Sequence, residues 1–390
     1  MDFRLSDEQK MMIDAARGIG KRFGLEYWRK LDAAKEFPRD YWLAVCAAGL
    51  CGTALPVEHG GSGLGMLDLA LAIENLSATG GGSTVGQLFM INPIFGGVAI
   101  SRFGSDEMRR DLLPKIISGE INCCMALTEP DAGTNTLELK STAVADGEGW
   151  RLNGRKIWIT GVSSAAKMLV VARTKKLSES ASRTDGLTMF LIDVQREGLS
   201  FTPIDKVGTC TLDSSSVFFD NVHVRPDELV GELHKGWRQL LEVLNTERIV
   251  TTAGLVGAGE LAIRLAVDYA NDRKVFGDRP ISAYQGLQFP LAQCHAEIEA
   301  ARLLNYKAAA NCDMGLPYGS EANQAKLLAA QAIARVTERA MQTMGGMGYA
   351  KEFHVERLWR DARLFRFAPV SEEMILNYIA NHDLGMPRGY

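Results

Sequence analysis

The hydrophobic period changes twice along this chain, and that change narrows the available folds more than any single motif does. Up to about Glu120 the apolar residues recur at spacings of three and four, as at Leu69, Ala72, Ile73 and Leu76, the period of a helix with one buried face. Glycine-rich turns such as Gly60-Gly61-Ser62-Gly63 punctuate these segments. From Cys123 to about Val230 the pattern becomes that of strands. Lys140 to Ala145, Trp150 to Thr160, Met168 to Thr174, Leu187 to Val194 and Ser214 to Val224 are β-branched or aromatic, and Asn153-Gly154 reads as a hairpin turn. Lys175 to Gly186 is polar enough for a mobile loop. From Trp237 onward the helical period returns in long segments rich in Ala, Leu, Glu and Arg, with breaks near Asp278, Gly315 and Gly345. The order is α, then β, then α, without internal repeats, and the expected divisions are 1–120, 121–232 and 233–390.

That order argues against a doubly wound sheet, in which strands and helices alternate throughout. It also disposes of a decoy. Gly257-Ala258-Gly259-Glu260-Leu261-Ala262 has the form of a dinucleotide fingerprint but sits inside a helical pattern, so its glycines read as close helix packing. There is no GxSxG elbow, no HExxH and no Walker loop, and the six histidines are isolated from one another, each reading as structural. The seven cysteines (Cys46, Cys51, Cys123, Cys124, Cys210, Cys294 and Cys312) are scattered in apolar stretches without metal spacing, so buried thiols are expected rather than bridges or zinc.

With 46% apolar and 23% charged residues over 390 positions, the chain can bury a sizeable core in two or three domains. A net charge of −4 without a dense Lys/Arg block gives no electrostatic reason to expect nucleic acid or an anionic membrane. The acidic, amphipathic start lacks the apolar core of a signal peptide, and no span is expected to reach the roughly 18 apolar residues of a membrane helix. The expectation is a cytoplasmic protein.

Two segments at the entry to the β region carry the chemistry. Ala126-Leu127-Thr128-Glu129-Pro130-Asp131-Ala132-Gly133-Thr134-Asn135 and Leu152-Asn153-Gly154-Arg155-Lys156-Ile157-Trp158-Ile159-Thr160-Gly161 resemble the two flavin-contacting motifs of the acyl-CoA dehydrogenase family. Arg273-Lys274-Val275-Phe276-Gly277 with Tyr284-Gln285, then Gln342-Thr343-Met344-Gly345-Gly346-Met347-Gly348, and finally Trp359-Arg360-Asp361-Ala362-Arg363 match further family motifs in order. The resemblance covers essentially the whole chain. It implies a mainly α protein with a central β domain: an N-terminal helical domain, a middle β-barrel-like domain and a C-terminal four-helix-type bundle. It also implies FAD between the last two domains and across a subunit contact, an acyl-CoA substrate, fatty acid metabolism, an electron-transferring flavoprotein as acceptor, and a dimer of dimers.

By the same resemblance Met125, Leu127, Thr128, Gly133, Thr134, Trp158, Ile159 and Thr160 form the flavin bed, with Trp158 against the ring and Thr128 and Thr160 at its polar edge. Arg273 would meet a neighbouring subunit's FAD, its guanidinium gripping the pyrophosphate, Phe276 is a further cofactor position, and Val275 replaces a hydroxyl residue common in relatives. Gln285, Gln342, Gly345 and Gly346 match positions that hold the adenosine half, and Ser371 and Glu373 are further cofactor positions. Glu372 and Glu373 also suit the start of a helix, where carboxylates favour the dipole.

The family reaction needs a carboxylate base and a carbonyl-holding site. In most members the base lies nine residues after the Arg of the Arg-Asp pair, but counting from Arg360 lands on Pro369. In isovaleryl- and long-chain-type relatives the glutamate precedes an arginine on an earlier helix, and Leu244-Asn245-Thr246-Glu247-Arg248 matches that arrangement. The helical phase agrees, because Leu240, Leu244, Glu247, Thr251, Gly254 and Ala258 share one face that is otherwise apolar or small. Glu247 is thus the candidate base, against a structural carboxylate paired with an arginine from another helix.

Asn245, Arg248, Thr134, Pro369 and Val370 fall on the thioester side. Pro369 has no N–H to hold the carbonyl, so Val370 or another donor must take that part, or the chemistry differs. Two readings stay open: a true dehydrogenase, and a related flavoprotein that binds a CoA thioester with a different reaction or none.

Overall fold

The computed structural model describes residues 4–387. Six helices precede the sheet: α1 (Asp7–Ala34), α2 (Arg39–Ala47), α3 (Met66–Leu76), α4 (Ser83–Phe89), α5 (Ala99–Phe103) and α6 (Asp106–Ser118). The Ser6 hydroxyl caps α1 by accepting from the Gln9 N–H, and the Gln9 side chain accepts from the Ser6 N–H in return, so two end donors are satisfied at once. A π-helical stretch, Met90–Val98, continues α4 into α5, widened around Pro93, which has no N–H to give to a regular helical ladder.

The expectation of no membrane-length apolar span needs correcting. Ser83–Phe103 and Gly236–Asp272 are both long and apolar enough, but the apolar window of the first is wholly buried in the protein and that of the second 78% buried. Both serve as core helices, packed against other protein surfaces on nearly every side.

The central sheet holds β1 (Cys123–Ala126), β2 (Thr142–Asp146), β3 (Gly149–Thr160), β4 (Lys167–Arg173), β5 (Leu187–Asp193), β6 (Leu199–Pro203), β7 (Ser214–Val224) and β8 (Leu229–Val230). Its order is β6-β7-β3-β2-β4-β5-β8, with β1 parallel to β4, and it curls around an apolar interior of Leu152, Ile159, Val170, Phe190, Ile192 and Val217. Asn153-Gly154 is not a hairpin turn. The β2–β3 reversal is the two-residue loop between Asp146 and Gly149, with Gly147 at φ 61°, and β3 continues through Gly154. At Gly154 (φ 148°) the register against β7 slips, and a Cβ there would lie 2.3 Å from the Ser141 hydroxyl. The glycine marks a bulge and a close approach, the other use of glycine inside a strand. The Lys175 to Gly186 loop contains a short 3-10 turn, Leu177–Glu179, and is tied at its ends by bonds from the Thr174 and Lys175 N–H groups to the Gly186 carbonyl.

The chain then returns to helices: α7 (Gly236–Asp272), a small hairpin of β9 (Lys274–Val275) and β10 (Arg279–Pro280), α8 (Gln285–Asp313), α9 (Gly319–Met344), α10 (Val355–Ala362) and α11 (Glu372–Tyr378). The decoy glycines lie inside α7, where a Cβ on Gly257 would sit 2.2 Å from the Glu74 carbonyl and one on Gly259 would strike Ile298. They are there to let helices approach. All seven cysteines are free thiols; five are buried and Cys210 and Cys312 are half-buried.

The Arg360-Asp361 pair works as a structural hub. The Asp361 carboxylate accepts from the Thr209 N–H at 2.5 Å, while Arg360 donates to the Val207 carbonyl at 3.0 Å and to Asp32 on α1 at 2.6 Å. One turn of α10 thereby fastens the sheet, the first helix and the C-terminal helices together, which sets the relative position of the site's parts.

Candidate active site

The two flavin-bed motifs are joined by a buried lysine. Lys156 is fully buried; its ammonium lies 3.0 Å from a Glu129 oxygen and donates to the Leu127 carbonyl at 2.8 Å. Glu129 also accepts from the Lys140 and Ser141 N–H groups, at 2.5 and 2.9 Å. Burial pushes Lys156 down to about 8 against the pull of Glu129. Burial alone would push Glu129 up, but the Lys156 ammonium and the two N–H donors hold it below the ordinary carboxylate value. A bond from the Ile157 N–H to the Thr128 carbonyl, 2.9 Å, completes the join.

Beside this anchor Trp158 has φ +62° and is 55% exposed, at a slip in the β3–β7 register between Lys156 and Ile159. A left-handed backbone at a bulky residue costs on the order of 1–3 kcal/mol and persists only where its surroundings impose it. The strain turns a tryptophan that would ordinarily fill the core into one that presents its indole outward. In the same two motifs Leu127 and Ile159 are buried, Met125, Thr128 and Thr160 are half-buried, and Gly133 and Thr134 are exposed. A Cβ added at Gly133 would meet nothing within 4 Å, and the same holds at Gly345 and Gly346. An outward aromatic face and open space above glycines is what a planar, extended cofactor requires, so these residues fit FAD. Trp158→Ala is expected to weaken FAD retention by up to about tenfold, measured by flavin fluorescence on dilution.

The remaining cofactor positions lie at the surface. Arg273, Phe276, Gln285, Gln342, Gly345 and Gly346 are all exposed, Phe276 at 96%. The Arg273 guanidinium has no carboxylate partner among the described residues. Ser371 caps α11 by accepting from the Met374 N–H at 3.3 Å, and Glu373 beside it is exposed. Glu372 and Glu373 lie in the first turn of α11, as expected of helix-dipole residues, and Glu372 is besides buried and gripped at both oxygens by Arg366, at 2.6 and 2.7 Å.

Glu247 lies on α7 with only 3% of its surface exposed, and its carboxylate has neither hydrogen bond nor ion pair among the described residues. Burial pushes it up to about 7, against the pull of Arg248 and Lys326. No arginine from another helix pairs with it. The face it shares with Thr251 and Gly254 packs on α4: a Cβ on Gly254 would lie 2.8 Å from Gly86 Cα, and one on Gly86 would lie 3.0 Å from the Val250 carbonyl. Gly82 lies toward Ala258 at the other end, so the helices run antiparallel and Glu247 sits toward the Met90 end of α4. On these two helices Ser83 Oγ, Gln87 Oε1, Thr251 Oγ1, Thr252 Oγ1 and Arg248 Nε are buried without a partner. Water or a ligand would have to satisfy these atoms, which lie on the two helices that flank Glu247. Arg248 is buried and donates to Asn245 Oδ1 at 2.5 Å.

Across from α7, Lys326 on α9 is fully buried and donates to the carbonyls of Phe365 and Val370, at 2.7 and 2.6 Å. The segment between those carbonyls carries Pro369, joined to Ala368 by a cis bond. The Val370 N–H has no acceptor among the described residues. Neither Lys156 nor Lys326 stood out in the sequence. A signal existed for each: Lys326 lies among Ala322, Ala325, Ala329 and Ala330, a small-residue face that ought to be buried, and Lys156 shares the inward side of β3 with Leu152.

Comparison with known proteins agrees over the whole length. Residues 6–120 match the acyl-CoA dehydrogenase N-terminal domain, 124–222 the middle domain and 234–383 the C-terminal domain. The chain belongs to the acyl-CoA dehydrogenase family. It is 38% identical to the acyl-CoA dehydrogenase FadE12 of Mycobacterium tuberculosis over 387 residues, 99% of this chain and 98% of that one. Its fold superposes on a glutaryl-coenzyme A dehydrogenase in complex with glutaryl-CoA with a TM-score of 0.94 at 30% identity, covering 100% and 98% of the two chains. Against butyryl-CoA dehydrogenase from Megasphaera elsdenii the TM-score is 0.92 at 29% identity, covering 98% and 100%. This acyl-CoA dehydrogenase family member is therefore an FAD-dependent oxidoreductase acting on CH–CH bonds, with the mainly α fold and central β domain that the resemblance implied.

Proposed function

We propose that the protein desaturates an acyl-CoA thioester between its α and β carbons, with Glu247 as the base. The observation that carries this reading is the state of Glu247: a buried carboxylate without a partner, raised to about 7, among unmet polar atoms on two facing helices. A base poised near neutrality takes a proton from a weak carbon acid more readily than an ordinary surface carboxylate does. Trp158, Thr128 and Thr160 would hold FAD, which would supply the two-electron sink for the β-hydrogen when bound. Glu247 takes the α-proton, and the Val370 N–H holds the thioester carbonyl in place of the donor that Pro369 lacks. Asn245 and Arg248 fix the approach of the thioester from the α7 side, and Thr134 meets the CoA.

The exposed Phe276 beside the unpaired Arg273 supports a shared cofactor site and a dimer of dimers, and the family resemblance supports an electron-transferring flavoprotein as acceptor. The test is anaerobic addition of acyl-CoAs from short to long chain, read as bleaching of the flavin absorbance. Bleaching by at least one thioester is expected. If none reduces the flavin, the second reading prevails: a thioester-binding flavoprotein without desaturation, which the proline at 369 would favour.

A further inference from the structure

Lys326 is a buried ammonium whose direct bonds all go to backbone carbonyls. It sits on α9 among fully buried alanines and forms no ion pair among the described residues. Its two carbonyl partners, Phe365 and Val370, are the two ends of the segment that contains Pro369. Taking an ammonium out of water is costly even after relaxation, whereas a neutral donor could bond the same carbonyls at less cost. A clamp alone therefore does not account for a charge at this point.

The groups acting on Lys326 supply the reason. Burial works against its charge; Glu372 on α11 favours it most, Arg248 on α7 opposes it, and Glu247 on α7, the helix packed against α9, and Glu373 on α11 favour it in turn, with Glu372 already committed to Arg366. Of the three carboxylates, only Glu247 is both buried and without a partner. The same ammonium thus bears on the proposed base and fixes the peptide that presents the Val370 N–H.

We propose that Lys326 is a positioning residue that couples the two halves of the proposed reaction: it clamps the loop that presents Val370 to the thioester carbonyl, and its buried ammonium adds to Arg248 in favouring the charged form of Glu247. The inference rests on the dehydrogenase reading. Burial moves the two groups in opposite directions, Glu247 up to about 7 and Lys326 down to about 8, so both are charged together only in a narrow window. Activity through this pair rises as Glu247 ionises and falls as Lys326 loses its proton, a bell-shaped profile.

The test compares Lys326→Met, Lys326→Arg and Lys326→Gln in flavin-loaded protein. Lys326→Met is expected to move the acid limb of the flavin-reduction profile up by about one pH unit and to abolish the alkaline limb. Lys326→Arg, charged at every working pH, is expected to keep the acid limb and lose only the alkaline one. Lys326→Gln keeps a donor for the loop without the charge, and stands in for Met if that variant does not fold. A merely structural clamp would lower the rate equally at all pH values. If the uncharged variants fold, bind FAD and keep both limbs, the inference is overturned.

A second readout does not need turnover: the infrared carboxyl band of Glu247, identified by its absence in Glu247→Gln, titrated in wild type and in Lys326→Met. A higher titration point in the variant supports the coupling even if no thioester reduces the flavin, in which case only the dehydrogenase reading fails. An unmoved titration point overturns the coupling whatever the reaction.

Discussion

Replacing Glu247 by Gln is expected to slow flavin reduction by a cognate acyl-CoA by about a thousandfold, while FAD content and thioester binding stay near wild type. The amide keeps the shape of the side chain and removes only its capacity to take a proton. Single-turnover bleaching under anaerobic conditions measures it, and a variant that bleaches at the wild-type rate would remove Glu247 from the mechanism without touching the cofactor assignment.

The same substitution carries a second expectation, of opposite sign. The carboxyl of Glu247 is raised in the folded state from 4.5 to about 7, so ionising it opposes folding. At about 1.4 kcal/mol per pH unit, the wild-type protein gives up about 3 kcal/mol of stability as pH rises from below 4.5 to above 7, and the Gln variant does not. Glu247→Gln is therefore expected to unfold later than wild type at pH 8, with the difference vanishing below pH 4.5. Loss of activity together with a gain in alkaline stability is the signature of a strained catalytic group; a structural carboxylate would show the reverse.

The other large effect is expected at Lys156. Its ammonium meets Glu129 at 3.0 Å with both groups buried, and it bonds the Leu127 carbonyl besides. Removing one partner of a buried ion pair leaves an uncompensated charge and costs about 3–5 kcal/mol, so Lys156→Met is expected to lower stability by that amount in urea unfolding. Because Leu127 and Thr128 lose their fixed position, FAD retention is expected to fall with it. The double variant Lys156→Met with Glu129→Gln removes both charges and is expected to recover most of the stability. If it recovers none, the bond to Leu127 rather than the ion pair holds the flavin bed together.

Neither buried lysine stood out in the sequence, but much else could be read before folding is known. The succession of periods gave the α, β, α order, and the length and order of the motifs around Thr128, Trp158 and Arg360 pointed to the family. The phase of α7 placed Glu247 on an inward face correctly, since phase depends only on residue spacing. The same local reading misplaced Asn153-Gly154, because a bulge in a long strand and a two-residue hairpin use the same residue types. It also missed the apolar spans at Ser83–Phe103 and Gly236–Asp272, whose small residues and glycines serve helix approach inside the protein.

The state of each group, as distinct from its position along the chain, was beyond local reading. Spacing could put a carboxylate on an inward face; only the packing of α4 and α9 against α7 shows that Glu247 has no partner and that Lys326 lies where its charge is felt. Trp158 was legible as part of a motif, but its outward, left-handed conformation depends on a register slip against β7, some sixty residues further along the chain. Periodicity is a property of neighbours in sequence and survives without tertiary structure. Desolvation, pairing and backbone strain are set by neighbours in space, and they decide what the same residues can do.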